Sequence, residues 1–516
     1  MQKREAFYAI TFRITRRNRR LIPLLSAEQV RNMDQMLIQE QKIPGLLLME
    51  QAANAVCREI FADFPTPCTV LCIAGRGNNG GDALAVARIL LTQGYPVRLG
   101  VLTEDFTGDA RTNFLYFQKS GQYTLLNEQT LDAFFAQSAQ VMVDGLFGIG
   151  LNRPPQGVFL EVIRRMRVHA AKCYAIDIPS GVYADSGQAE EAVPAHKTIT
   201  FTAPKPGHLL FPGREYTGRL CVAPIAPTTA QNSAATLFWI DAFSLPLRAQ
   251  NTHKGNFGRV GIAAGSRGMG GAAMLCLRSS IAGGAGITCL LGCRYVQDLA
   301  QREVPLALAR DISLAEDFLC CDNFAEAVEG CTALVVGPGM GTRPESQPLV
   351  RQAAEMNLPK VLDADALNLC ARMGVSAYGA NTVLTPHPGE FARLSGLPLR
   401  DILQNPVAHA RAFAKKTGVV LLLKGATSVV TDGEASYLVT TGTSGMAKGG
   451  SGDVLSGVIG ALLAQGLSPC ESAYGAAFLC GRAAELAGQE YGAYAQTPEH
   501  TISFLGRAMQ TKNRKE

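Results

Sequence analysis

The sequence predicts an α/β chain of two successive domains, each built on a largely parallel sheet, and three observations carry that expectation. Short apolar runs of strand length alternate with stretches long enough for helices along nearly the whole chain, the rhythm of β-α-β units. Almost every run ends in a loop rich in Gly, Pro, Asp or His, where open α/β sheets place their ligands. The length of 516 residues exceeds a single domain of ~150 residues. With 47% apolar and 18% charged residues, against ~25% charged in an average domain, and with 53 glycines, the chain has a large core and many tight loops.

Taken in order, residues 1–23 read as a basic, disordered extension. Lys3, Arg4, Arg13, Arg16, Arg17, Arg19 and Arg20 face only Glu5 in the first twenty positions. They resemble a transit peptide in composition but lack the apolar stretch of a secretory signal. The first domain is placed at 24–226, with strand-like runs at 70–74, 97–102, 141–144 and 174–178. After the first run a helix is expected, capped by Asp82, with Leu84, Ala87, Arg88 and Leu91 at helical spacing and Gly94 after its end. The small, polar segment at 227–236 reads as a linker. The second domain, 237–508, repeats the rhythm with runs at 260–264, 287–291, 333–336, 361–363, 383–385, 419–423 and 428–431, and a short tail, 509–516, follows.

Charge and cysteine usage exclude several classes. The formal charge is +5, of which the first twenty residues supply +6, leaving −1 for the remaining body. No nucleic-acid partner is therefore expected. The uncharged, largely apolar stretch 454–470 is interrupted by Ser456, Gln465, Ser468 and glycines, so no membrane partner is expected either. Fourteen cysteines lie scattered in apolar stretches with no C-x-x-C pair. They read as reduced core residues of a protein in a reducing compartment.

The first-domain chemistry lies in three loops. Gly75, Gly77 and Gly80 satisfy G-x-G-x-x-G between the first strand and its helix, so a dinucleotide-binding, Rossmann-type reading arises. Its usual ribose-binding acid has only a loosely placed candidate in Glu104. The run Asn78-Asn79-Gly80-Gly81-Asp82 adds amides and a carboxylate to backbone N–H groups that can cradle an anion at a helix start. Two further polar strand ends carry Asp144 and Asp177-Ile178-Pro179-Ser180. A buried Asp needs a partner or a cation, and such oxygen donors suit a hard metal ion, although Asx-turn formation alone would also explain either aspartate.

The segments GRGNNGGD at 75–82, VDGLFGIGLNRP at 143–154, AIDIPSG at 175–181 and FTAPKPGHLLFPG at 201–213 resemble the NAD(P)HX epimerase domain. That resemblance implies a Rossmann-like fold, hydrated NADH or NADPH as substrate, and a bound potassium ion. It makes Asn79, Asp144 and Ser180 potassium ligands. Asn78, Asn79, Gly80, Gly81, Asp82, Gly148, Ile149, Gly150, Leu151, Asn152, Arg153 and Pro154 would line the substrate, and Asp177 would line it and act catalytically.

In the second domain Gly449-Gly450-Ser451-Gly452-Asp453 opens a strongly apolar stretch. Free N–H groups at such a helix start can stabilise phosphate charge, and Asp453 can take a proton from a hydroxyl, or serve merely as an N-cap. With GSRGMGGA at 265–272, GPGMG at 337–341, DADALN at 363–368, TPHPGE at 385–390 and KGATS at 424–428, this segment resembles the ADP/ATP-dependent NAD(P)H-hydrate dehydratase family, a ribokinase-like α/β fold. By that resemblance Ala272, Gly339, His387 and Asp453 contact the hydrated dinucleotide. Lys424, Gly425, Ala426, Thr427, Ser428 and Gly452 hold the nucleotide. Lys448 and Ala264 depart from the family pattern, and a cation at 448 is expected to alter nucleotide affinity.

The combined expectation is a fused repair enzyme, both isomerase and lyase, acting on hydrated NADH or NADPH. K+, Mg2+ and ADP (or ATP) would serve it, and a homo-oligomer is expected. A ribokinase-like small-molecule kinase and a noncatalytic dinucleotide-sensing protein are the alternatives.

Overall fold

The computed structural model describes residues 19–226 and 235–510. The basic segment 1–18, most of the expected linker (227–234) and residues 511–516 of the tail lie outside the described residues. The chain divides into two compact units, Pro23–Ala235 and a second one joining residues up to Ile22 with Thr236 onward.

The extension expected to be disordered through residue 23 instead contains a strand, β1 (Arg19–Pro23), at the edge of the second unit's sheet. Its basic residues have partners there: Arg19 binds the Glu471 carboxylate at 3.1 Å and the Tyr474 hydroxyl. Leu21 packs against the core of that unit. The composition signalled charge, whereas the short apolar step Leu21-Ile22 decides the structure.

The first unit carries β2 (Val70–Ala74), β3 (Val97–Val101), β4 (Tyr123–Leu125), β5 (Val141–Gly145), β6 (Lys172–Ile176), β7 (Lys197–Phe201) and β8 (Arg219–Ala223). They form one sheet in the order β4-β3-β2-β5-β6-β7-β8, and every pairing is parallel. The connection direction reverses between β2 and β5, so their loops flank a crevice at the carboxyl edge, where such sheets bind ligands. Helix Asn78–Thr92 follows β2 and buries Ala83, Leu84, Ala87 and Leu90 against the sheet. It starts earlier than the sequence suggested. Gly77 is its N-cap and Asp82 lies inside the helix, not at its cap, because the glycines let the turn tighten: a Cβ at Gly75 would lie 1.9 Å from the Leu146 carbonyl oxygen.

The second unit continues with β9 (Leu237–Phe243), β10 (Arg259–Ala263), β11 (Ile287–Gly292), β12 (Leu308–Asp311), β13 (Ala333–Val336), β14 (Lys360–Leu362), β15 (Thr382–Leu384), β16 (Val420–Leu423), β17 (Ser428–Thr431) and β18 (Ser436–Val439). The order is β1-β9-β18-β17-β16-β15-β14-β13-β10-β11-β12. The sheet is parallel from β16 to β12 but antiparallel at β16-β17 and β17-β18. Helix Ser451–Ala464 is buried from Val454 to Ala464 and packs on helix Gly270–Ala282; an apolar surface on all sides marks a helix enclosed by its neighbours. Among the described residues no helix is long and apolar enough to cross a membrane.

Candidate functional sites

In the first unit a cavity of about 870 Å³ opens at the carboxyl edge of the sheet. Asn78, Asn79, Asp82, Gly148, Ile149, Gly150, Leu151, Asn152, Arg153, Pro154 and Asp177 all line it. Gly80 and Gly81 do not: they are buried in the first turn of helix Asn78–Thr92, where a Cβ at Gly80 would lie 2.0 Å from the Gly75 carbonyl oxygen. No motif marked Arg31 and Asp34, which reach the same cavity from helix Ala27–Gln39.

Asn79, Asp144 and Ser180 converge beneath that cavity around one peptide. The Asn79 amide donates to the Phe147 carbonyl at 2.8 Å, and the Phe147 N–H donates to Ser180 Oγ at 2.8 Å. Ser180 donates to Asp144 from its hydroxyl at 2.5 Å and from its backbone N–H at 2.8 Å. Asp144 is fully buried, and burial pushes its carboxyl up to about 6 despite these hydrogen bonds. No basic side chain pairs with it among the described residues. A buried carboxylate amid amide, hydroxyl and carbonyl oxygens is a donor set that fits a potassium ion.

Asp177 occupies a different setting, at the end of β6. Lys205 places its ammonium against Asp177 Oδ1 and donates to Thr200 Oγ1 at 2.8 Å, while Thr200 donates to the same Oδ1 at 3.0 Å. His208 accepts the Lys205 backbone N–H at Nδ1 (3.0 Å), so Nε2 carries the proton and donates to the Asp177 carbonyl at 2.8 Å. Burial, aided by Lys205, lowers His208 to about 4, which keeps it neutral. For Asp177 burial pushes upward, but Lys205 outweighs it and holds the carboxyl below its ordinary value. Asp82 goes the other way: burial, with Asp177 and Asp34 adding negative charge, raises it well above the usual carboxylate range. The two aspartates of one cavity are thus shifted in opposite directions, the separation that acid–base chemistry uses. Lys205 and His208 lie inside the 201–213 segment, yet their roles come only from the fold.

The strand ends here are also strained. Asp177 and Thr202 both have φ of +66°. Each is the centre of a three-residue turn, closed by Ile178 N–H to Ile176 O at 2.8 Å and by Ala203 N–H to Phe201 O at 2.7 Å. This positive-φ γ-turn is the rarer kind, and a residue held in such a region costs roughly 1–3 kcal/mol.

In the second unit the loops after β14, β15 and β16 meet the start of helix Ser451–Ala464. Lys424 donates to Asp363 Oδ1 at 2.9 Å and lies 3.8 Å from Glu390; Ser456 donates to Asp363 Oδ2 at 2.8 Å. A Cβ at Gly452 would lie 3.4 Å from the Lys424 ammonium, so that ammonium sits beside the helix's free N–H groups. The pairs with Asp363 and Glu390 hold Lys424 above its ordinary value despite burial. Gly450 is the N-cap and Asp453 sits in the first turn, so Asp453 is not the cap. Burial, with Asp363 nearby, pushes Asp453 up to about 6 against the pull of Lys424.

His387 caps helix Pro388–Ser395, accepting from Gly389 N–H at 3.0 Å, and its ring lies 3.6 Å from Glu390. Ala272 and Gly339 adjoin: a Cβ at Gly339 would lie 2.8 Å from that of Ala272. Gly425 and Ser428 flank the β16-β17 turn with Ala426 and Thr427, the Ser428 hydroxyl donating to the Gly425 carbonyl at 3.3 Å. Lys448 bonds the Tyr494 and Gln496 carbonyls at 2.6 Å each. Asp363 and Glu390 belong to the DADALN and TPHPGE motifs, in which the sequence assigns them no role; the structure makes them the partners of Lys424.

Comparison with known proteins agrees with both units. The family described as YjeF-related protein N-terminus matches residues 45–207, and that described as NAD(P)H-hydrate dehydratase matches residues 260–505. The bifunctional NAD(P)H-hydrate repair enzyme Nnr of Moorella thermoacetica is 35% identical over 512 residues, covering 93% of this chain and 96% of its own. The enzyme of the same name from Escherichia coli is 33% identical, covering 90% of each chain. Among solved structures, the ADP/ATP-dependent NAD(P)H-hydrate dehydratase from Bacillus subtilis, co-crystallised with ATP/Mg2+, is 28% identical. It matches 51% of this chain and 93% of its own with a TM-score of 0.45. With full-length relatives above 30% identity, the chain belongs to the family of bifunctional NAD(P)H-hydrate repair enzymes.

Proposed function

We propose that this chain repairs hydrated NADH and NADPH at two sites. It interconverts the R and S hydrates in the first-unit cavity and dehydrates the S form in the second unit at the expense of ADP or ATP. The observation that carries the reading is the match of a single chain, over 93% of its length, to a relative named as a bifunctional NAD(P)H-hydrate repair enzyme. The local geometry supports it at each end.

Hydration leaves a hydroxyl on the carbon beside the ring nitrogen. To invert that carbon, the ionised Asp177 accepts the hydroxyl proton as the carbon–nitrogen bond opens and the carbon–oxygen bond becomes double. Asp82, whose surroundings favour its protonated form, supplies the proton taken by the nitrogen, and reclosure on the opposite face gives the other epimer. Asn79, Asp144 and Ser180 would hold potassium, which supplies the positive charge that Asp144 lacks and fixes the Phe147 loop lining the cavity.

At the second site Asp453 takes the proton from the same hydroxyl as its oxygen attacks the terminal phosphorus of the nucleotide. Lys424 and the N–H groups at the start of helix Ser451–Ala464 offset the charge of the transferring phosphoryl group. The nucleotide departs one phosphate shorter, the ring-nitrogen lone pair then expels phosphate from the ring carbon, and the resulting iminium loses a proton from the neighbouring ring carbon, restoring the dihydropyridine. Lys424 to Ser428 and Gly452 hold the nucleotide, while Ala272, Gly339 and His387 hold the dinucleotide. Among the described residues no group of three or more His, Cys, Asp or Glu side chains forms a metal site. Mg2+ would therefore enter on the nucleotide phosphates and keep several waters. The reduced cysteines suit a cytoplasmic setting.

The test is to mix both epimers of hydrated NADH with ADP, Mg2+ and K+, and follow dihydropyridine absorbance together with the epimer ratio. Complete conversion of both epimers is expected. Accumulation of a stable phosphorylated product, or binding without turnover, contradicts the reading.

A further inference from the structure

Thr202 stands out in the first unit as a strained residue with an unmatched polar group. Its hydroxyl is buried and has no hydrogen-bond partner among the described residues. A buried hydroxyl without a partner is costly, and natural structures retain few of them. Its backbone carries φ of +66° although Thr is β-branched, a type that rarely adopts this conformation. The turn is nevertheless firmly held, by Ala203 N–H to Phe201 O at 2.7 Å and by Thr202 N–H to Ala223 O at 2.9 Å.

Its position gives these features a direction. Thr202 lines the same cavity as Asp177. It follows β7, the direct neighbour of β6, and repeats at the end of β7 the positive-φ turn that Asp177 makes at the end of β6. Lys205 ties the two strand ends together, reaching Asp177, Thr200 and the Phe201 carbonyl. Strain concentrated at two adjacent cavity-lining positions is a mark of a ligand-gripping edge. We infer that Thr202 is a further substrate-contacting residue of the first site, its hydroxyl, covered in the free protein, turning about the Cα–Cβ bond to meet a hydrogen-bonding group of the hydrated nicotinamide next to the carbon that Asp177 serves. The inference rests on the epimerase reading and extends it to a residue outside the Gly-rich and Asp-bearing loops.

The experiment uses the full chain carrying Thr202→Val, which keeps the shape and removes the hydroxyl, and Thr202→Ser, which keeps the hydroxyl. Two quantities are read: Tm of the free protein, and KM and kcat for epimerisation of hydrated NADH. For Thr202→Val, Tm holds or rises, since an unmatched buried hydroxyl has gone, while kcat/KM falls about 10-fold or more. Thr202→Ser stays within about 2-fold of wild type. Wild-type kcat/KM in Thr202→Val, with or without a lower Tm, overturns the inference and leaves the epimerase reading intact. Should Thr202→Val fail to fold, Thr202→Ala removes the same hydroxyl with less crowding and is judged by the same kcat/KM criterion. Absence of epimerisation in the wild type overturns the reading and the inference together.

Discussion

Each unit presents an aspartate where its candidate site lies, Asp177 at a strand end and Asp453 in the first turn of a helix, and they treat it in opposite ways. Asp177 has the Lys205 ammonium as its own counter-charge, with Thr200 on the same oxygen, and is held below the ordinary carboxylate value. Asp453 sits near a lysine too, but Lys424 is hydrogen-bonded to Asp363, and burial wins, raising Asp453 to about 6. The difference lies in which carboxylate claims the cation, and it suits the chemistry on each side. On the proposed reading Asp177 is a base kept ready in its ionised form across the working pH range, whereas Asp453 is a base whose own protonation falls near neutral pH.

The strongest way to break this comparison is to remove the base. Asp453→Asn keeps the shape and is expected to lower dehydration by ~10²-fold or more, with epimerisation persisting; a near wild-type rate of dihydropyridine recovery would reduce Asp453 to a structural residue of the first helical turn. Lys205→Met should strand Asp177 as an uncompensated buried charge, at a cost of about 3–5 kcal/mol in stability. Epimerisation should collapse with it, and the double variant Lys205→Met/Asp177→Asn should regain Tm but not activity. Denaturant unfolding of both proteins checks this.

Asp144→Ala should remove epimerisation and its potassium dependence while dehydration continues, read by titrating K+ against the epimer ratio; unchanged epimerase rates at every potassium level would sink the ligand assignment. The smallest effect is expected from Lys448→Ala. Its ammonium is spent on the Tyr494 and Gln496 carbonyls, so the KM for ADP should change by less than about 2-fold. A larger change would restore the sequence-based expectation that this cation tunes nucleotide affinity.

Much of the two folds is legible in the sequence because parallel strands buried on both faces read as apolar runs. The elements that escape that reading are those with polar positions. β7 reads KTITF, with Lys197 and Thr200 buried but individually satisfied, Lys197 by Glu59 and Asp63. β9 carries Asp241 in its middle, paired with Arg20. β4 has three residues, and β1 hides in a basic segment. At the sites, glycine-rich loops are local signals, so the Gly-rich helix starts and strand-end aspartates stood out. What a carboxylate pairs with is tertiary: Lys205 is 28 residues from Asp177, and Lys424 is 61 from Asp363. No local pattern distinguishes those pairings from their alternatives.

The most direct measurement is a pair of pH profiles on one preparation of the full chain, following epimerisation and dehydration of hydrated NADH from about pH 5 to about pH 8. A base must be ionised to act. Asp453 protonates as pH falls through about 6, so dehydration should drop on the acid side with a midpoint near that value. With K+ saturating, so that the bound ion keeps the Asp144 carboxyl, about 6 without it, ionised as well, Asp177, held below its ordinary value by Lys205, stays ionised throughout and epimerisation should show no such loss. Two profiles falling together on the acid side, or dehydration flat through pH 6, would contradict the opposite treatment of the two aspartates.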